Sequence, residues 1–392
     1  MQKDSLAAII EKAKPSHLAY KKLKNALLLL NEFPEDSLQK IEISANLKPN
    51  DADKSVILVK KRLVYWKDMK MPDLLTPIYD QAMLDAVKKF QLRHGLQPDG
   101  IIGKGTLAEL NTSKEIRKKQ IIANLERWRW YPKDLNDQYL IVNIPDFKLD
   151  VMEDGKSILN MKVCVGEGRE LGYRDKLVEY DENDLKKDRP FNRETPQLKS
   201  LIHSVQVNPV WNIPESIATN EITKDAAKDP YYLANHNIDV FENGQLIEDP
   251  ETIDWSAADA GKKYLFKQRP GDDNSLGKIK FLFQNESSVY LHDTPAKAAF
   301  NKEMRAVSHG CVRVEKPLEL AEALFGKGAK YDKIKTGMVS TDPVATDIGL
   351  PKQIPVYLAY FTCWADQSGK LQYRKDIYGL DIVLYTYLQR LA

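Results

Sequence analysis

The chain has 392 residues, of which 43% are hydrophobic and 29% charged, and its formal net charge is +2. That length exceeds one ordinary domain, and the balanced charge gives no basis for a polyanionic partner such as nucleic acid. No apolar run approaches the roughly 20 residues of a membrane-spanning helix; runs such as Ala26 to Leu30 are far shorter.

Residues 1–54 read as a helical scaffold. Tyr20, Leu23, Leu27 and Leu30 recur on one helical stripe, and Ser16 after Pro15 is the expected N-cap. The first residues, Met1 to Ser5, lack the apolar core of a signal peptide, so either the chain is cytosolic or a targeting segment has been removed. Residues 55–112 read as a separate small module. Val56, Val59, Leu63 and the Tyr65-Trp66 pair suit a first helix, and Met83, Val87 and Phe90 a second that closes at Gly95. A glycine-punctuated turn then leads to a short helix with Thr106 as its cap. Residues 113–137 form a predicted linker helix, ending in the aromatic run Trp128 to Tyr131, which reads as an interdomain plug.

From Gln138 the apolar period changes to two, the signature of strands. Strands are expected at 139–144, 148–152 and up to 165, with Asp154-Gly155 as a hairpin turn. Others follow at 201–207, 279–283, 288–291, 355–364 and 371–375. The segment 215–276 interrupts this pattern and is too long for a loop, so it reads as an inserted subdomain or lid. The expected class is α+β, with a mainly β domain over 138–392.

The chemistry concentrates in Val307 to Val314, which packs Ser308, His309, Gly310, Cys311 and Arg313 together, and in Tyr290 to Pro295 upstream of it. Cys164 and Cys363 sit in apolar strand sequence and read as buried small hydrophobes, whereas Cys311 has polar, basic and glycyl neighbours. A thiol needs a base or a cation close by to attack a carbonyl, and the developing oxyanion needs a donor. His309, two residues from Cys311, and His292, at the end of a predicted strand, both qualify as base. The amides of Gly310 and Cys311 are candidate oxyanion donors, and Arg313 adds positive potential or pairs with a carboxylate. Zinc ligation by His292, His309 and Cys311 is the competing arrangement, but no acidic general base stands at the spacing such a site would use. No metal or other cofactor is expected.

Two resemblances extend this reading. Ala86 to Gln91, Gly95-Leu96, Asp99-Gly100, Gly103 and Thr106 are similar to the three-helix peptidoglycan-binding module, which implies affinity for cell-wall glycopeptide. The stretches Ser308 to Arg313 and Tyr290 to Pro295 resemble the catalytic signature of the L,D-transpeptidases of peptidoglycan. Asn208 to Pro214, Arg269 to Gly271, Asn274, Leu276-Gly277 and Lys280-Phe281 extend the likeness. The resemblance implies a β-sandwich catalytic domain with an inserted capping subdomain. Cys311 would be the nucleophile on a tetrapeptide stem, and His292 the base, held by the carbonyl of Asp293. His309, with the Gly310 and Cys311 amides, would shape the oxyanion pocket. Tyr290, Ser308, Arg313 and Asn274 would contact substrate. It further implies 3→3 crosslinks through a thioester, stem peptides as donor and acceptor, acylation by carbapenems, and a periplasmic or cell-envelope location. A stem-trimming thiol hydrolase and a non-catalytic wall-binding scaffold are the alternative functions.

Overall fold

The computed structural model describes residues 15–133, 135–168 and 193–391; the expectations for residues 1–14 lie outside these. The chain divides into two compact units. One is formed by residues up to 135 together with those from 360 onward, and the other by the chain between them.

In the first unit, α1 spans Leu18–Asn31 and buries Leu23 and Leu30 of the expected stripe together with Ala26, while Tyr20 and Leu27 are half-buried. Its N-cap is His17 rather than Ser16, whose hydroxyl instead donates to the Lys133 carbonyl at 2.7 Å. Residues 32–53 form no further helix, so the scaffold is less helical than its composition suggests. The small module has the expected three helices, α2 (Lys54–Tyr65), α3 (Gln81–Arg93) and α4 (Lys104–Leu110). Val56, Val59, Leu63, Met83, Val87 and Phe90 are fully buried between them. Asp53 and Asp80 cap α2 and α3 by accepting from the amides of Ser55 and Met83. Thr106 is not a cap. Gly103 holds that place, while Thr106 lies inside α4 and accepts a hydrogen bond from the buried Gln91 amide, which also braces the turn at Asp99 and Ile101.

Helix α5 (Lys114–Trp128) is capped by Ser113. Its inner face carries Gln120, Asn124 and Arg127, and these hold the C-terminal part of the chain. Asn124 bonds both the amide and the hydroxyl of Thr362, Gln120 bonds the carbonyls of Thr362 and Arg374, and Arg127 pairs with Asp381 of the helix Leu380–Leu391. Trp128 stacks on Phe361 at 4.6 Å, and Tyr131 packs beside both rings. Trp128 and Tyr131 are therefore internal packing of this unit and not an interdomain plug, while Trp130 between them is exposed. The sequence reading also assigned 360–392 to the β domain, but the chain leaves the large sheet at Ala359, and Cys363–Ala365 pairs only with Leu371–Tyr373. The alternating pattern there reflects a separate two-stranded ribbon.

In the second unit the strands are β1 (Gln138–Asn143), β2 (Lys148–Glu153), β3 (Lys156–Gly166), β4 (Leu198–Val207), β5 (Trp211–Ile213), β6 (Ile238–Glu242), β7 (Gln245–Leu246), β8 (Leu265–Gln268), β9 (Ile279–Phe283), β10 (Leu291–His292), β11 (Ala306–Ser308), β12 (Val312–Val314) and β13 (Thr346–Ala359). Nine of them form one sheet in the order β11-β3-β12-β10-β9-β4-β13-β1-β2, and β2 also pairs with β3, so the sheet closes on itself. The β2–β3 hairpin turns through Asp154 and Gly155, both in the left-handed region, as its Asp-Gly signal requires. One face buries Leu140, Val151, Val163, Val205, Phe281, Leu291 and Val312. The insertion carries its own sheet, β5-β8-β6-β7, and its own core of Ile213, Ile217, Ile222, Leu233, Val240, Trp255 and Phe266. Cys164 and Cys363 are buried free thiols.

The first unit contains a titrating group whose effect can be measured. His94 is buried between the Phe90 and Tyr373 rings, and its Nδ1–H donates to the Phe90 carbonyl at 2.7 Å. Burial, with Arg93 and Arg117 adding to it, holds its pKa well below the ordinary value. The unfolded chain takes up this proton below about pH 6.5 and the folded chain does not, so stability is lost as pH falls. Between pH 8 and pH 5 the wild type should lose about 2 kcal/mol relative to His94→Phe, as read from urea unfolding of the two proteins.

Candidate active site

Strand register brings the two chemical stretches together. β10 runs parallel to β12, with Leu291 opposite Val312 and His292 opposite Arg313, and the Val312 amide donates to the Tyr290 carbonyl at 3.1 Å. Side chains alternate along a strand. Leu291 and Val312 enter the core, so Tyr290, His292, Cys311 and Arg313 fall on the opposite face. The Tyr290 and His292 rings meet edge to face at 5.7 Å.

His292 is 4% exposed. Its Nδ1–H donates to the Asp293 carbonyl at 2.5 Å, which leaves Nε2 as the acceptor nitrogen. Burial, reinforced by the Arg313 charge, lowers its pKa to about 3, so the imidazole is neutral at any ordinary pH. Burial raises the Cys311 thiol, and a hydrogen bond from Tyr290 and the charges of Arg313 and Lys280 oppose that rise. The resting pair is thus a thiol and a neutral imidazole. Asp293 anchors the segment in three ways. Its amide donates to the Ile279 carbonyl, its carboxylate accepts from the Lys278 amide at 2.9 Å, and it pairs with Lys297. Gly277 makes room for that carboxylate, because a Cβ there would lie 2.5 Å from it.

The turn carrying Cys311 is fastened from several sides. Ser308, 3% exposed, donates to the Cys311 carbonyl at 2.6 Å and accepts from the Gly310 amide at 3.2 Å. Gly310 has φ of 120°, the left-handed region that favours glycine. Its carbonyl accepts from the Thr195 hydroxyl at 2.7 Å, and that hydroxyl accepts from the Gly166 amide. The Glu167 amide donates to the Ser308 carbonyl. Strand pairing ends at Ser308 and resumes at Val312, so no strand places His309 and Cys311 on one face. The His309 Nε2 lies 2.7 Å from the Glu221 carboxylate in the inserted subdomain, and Arg193 donates to the same oxygen at 2.6 Å.

Two expected substrate contacts are corrected. Asn274 is 1% exposed and its amide group is fully used. It donates to the carbonyls of Pro209, Gln268 and Arg269 and accepts from the Leu276 amide, stapling the exit of the insertion. Ser308 is likewise spent within its own turn. Of the two oxyanion candidates, the Gly310 amide is directed at Ser308, and the Cys311 amide is the one with no internal acceptor among the described residues. Glu221 and Thr195 escaped the sequence reading. Each reaches the turn from far along the chain, and neither stands in a pattern that marks it.

Comparison with known proteins finds relatives of two parts of the chain. The family model YkuD, "L,D-transpeptidase catalytic domain", matches residues 137–334, and "Putative peptidoglycan binding domain" matches residues 52–110. A Haemophilus influenzae protein named "Putative L,D-transpeptidase" is 34% identical over 271 residues, which is 69% of this chain and 50% of that protein. The chain therefore spans about half the length of that relative. Among solved structures, an L,D-transpeptidase from Xylanimonas cellulosilytica aligns at 14% identity and a TM-score of 0.24, covering 81% of this chain and 98% of that one. One from Stackebrandtia nassauensis aligns at 15% and 0.27, covering 80% and 96%. With the family model covering residues 137–334 and the thiol and imidazole set on one face of that sheet, the chain belongs to the family of YkuD L,D-transpeptidase catalytic domains.

Proposed function

We propose that this protein is a peptidoglycan L,D-transpeptidase that forms 3→3 crosslinks through a thioester on Cys311. The observation that carries the reading is the shared face of Cys311 and His292, with the His292 tautomer fixed by the Asp293 carbonyl. The Cys311 sulfur attacks the carbonyl carbon of the third residue of a tetrapeptide stem while His292 Nε2 takes the thiol proton. The oxyanion is received by the free Cys311 amide. As the tetrahedral intermediate collapses, the C–N bond to the terminal D-Ala breaks, and His292 returns the proton to the departing amine. The side-chain amine of a second stem then attacks the thioester carbonyl. The new amide forms, the C–S bond breaks, and the proton lost by the amine returns through His292 to the thiol. Water in place of the amine would give a stem carboxypeptidase instead.

In this reading the module matched over residues 52–110 binds wall glycopeptide, the enzyme acts in the cell envelope, and a carbapenem acylates Cys311 as a substrate mimic. The insertion caps the site. The support is the bond from Glu221 to His309, which fixes the residue before Gly310 from the insertion side.

Three outcomes are expected. Cys311→Ala should abolish both 3→3 dimers from tetrapeptide muropeptides and the mass gain with a carbapenem, leaving the melting temperature unchanged. Dimers from that variant would sink the proposal, and tripeptide monomers alone from the wild type would favour the hydrolase. Because His292 stays neutral, the acylation rate should change less than about twofold between pH 7.5 and 5.5. A base with an ordinary histidine pKa would lose roughly tenfold over that range. Glu221→Ala should slow acylation about tenfold through loss of one charge-assisted bond to His309, measured by stopped-flow with a carbapenem.

A further inference from the structure

The row of the sheet that holds His292 continues on both sides of it. Arg313 of β12 stands opposite His292, and on the other side His292 stands opposite Lys280 of β9. Directly paired residues of neighbouring strands point the same way, so the face reads Arg313, His292, Lys280 across three strands. Tyr290 and Cys311 lie one step along the same face. The Lys280 ammonium sits 5.6 Å from the centre of the Tyr290 ring.

These two cations differ from the others around the site. Lys278 pairs with Asp272, Lys297 with Asp293, and Arg193 with both Glu167 and Glu221. Lys280 and Arg313 have no hydrogen-bond or ion-pair partner among the described residues, and the Arg313 Nε is buried with no acceptor. The anion whose charge acts on Lys280 within the sheet is Asp347, in line with it beyond Gln206, and that carboxylate is already bonded by the Gln206 amide. Lys280 is half-buried, and burial lowers its pKa. Two half-buried cations without counter-ions are costly to hold unless an anion joins them. Their backbones stand about 10 Å apart across two strand spacings, and both side chains are long enough to converge on one carboxylate group.

We propose that Lys280, together with Arg313, forms a carboxylate-binding subsite beside Cys311 and selects donor stems by a free carboxylate close to the scissile carbonyl. This rests on the transpeptidase reading above. A donor stem offers two such groups. One is the terminal carboxylate of the leaving residue, a single residue beyond the attacked carbonyl. The other is a carboxylate carried by the side chain of the third residue. The first lies within about one residue's span of the attacked carbonyl, and the second lies farther out along the side chain.

The test compares three synthetic tetrapeptide donors: the free acid, the C-terminal amide, and the donor amidated on the third side chain. Each is given to the wild type, Lys280→Met and Lys280→Arg, with kcat/KM measured for dimer formation. Methionine keeps the apolar stem over Tyr290 without the charge. The wild type should prefer the free acid over one of the amides by roughly tenfold or more. K280M should narrow that preference to about twofold, and K280R should keep it. Whichever amide carries the effect identifies the carboxylate. An equal loss on all three donors in K280M, or a wild type indifferent to both amidations, overturns the subsite. If K280M melts early, Lys280→Gln replaces it and the same comparison applies. Intact mass for the thioester on Cys311 is read throughout. Its absence in the wild type would instead count against the nucleophile assignment, which separates the two failures.

Discussion

The active site depends on one pairing, the parallel contact between Tyr290–His292 and Cys311–Arg313. Neither stretch is long enough to be a stable strand by itself; each has two or three paired residues. They hold position because β9 and β3 flank them within a closed sheet. A slip of one residue would send Cys311 into the core and bring Val312 out, since side chains alternate with period two. Register is therefore the variable that creates the site, and the buried Leu291, Val312, Phe281 and Val163 enforce it through hydrophobic burial.

The electrostatics follow from that placement. A buried imidazole beside a guanidinium stays neutral, and the half-buried Cys311 thiol, its pKa raised, stays protonated. In the mechanism proposed above, the site at rest thus stores no ion pair between Cys311 and His292, unlike a thiolate–imidazolium couple. In that mechanism charge arises only as the proton moves during attack, with the amide of Cys311 and the phenol of Tyr290 already in place. Burial that raises the barrier to thiolate formation also keeps the thiol from reacting indiscriminately.

Much of this was legible in the sequence, and the reason is locality. The helices of the small module, the Asp154-Gly155 hairpin and the two catalytic stretches announce themselves within a few residues. The proposed roles of Cys311 and His292 draw on that local chemistry and on family resemblance. What failed was direction and distance. Asn274 and Ser308 stand at motif positions, but a motif does not say whether a polar side chain faces solvent or its own backbone, and here both turn inward. The capping argument missed that Thr106 serves Gln91 rather than a helix end. The alternating residues after Ala359 gave a true strand signal but the wrong sheet, because a strand pattern does not name its partner. Glu221 and Thr195 stand 88 and 115 residues from the turn they fasten, beyond the reach of any spacing rule.

Those long separations bear on when the chain becomes chemically competent. The turn around Gly310 takes its shape from Thr195, Gly166 and Ser308 together, and His309 is set by a residue of the insertion. Contacts so distant along the chain form late, after the loops between them have closed. A partly folded chain therefore carries Cys311 as an ordinary, slow thiol with no aligned base. On the proposed mechanism, the nucleophilic power of Cys311 comes only with the completed architecture, so assembly itself guards against premature acylation.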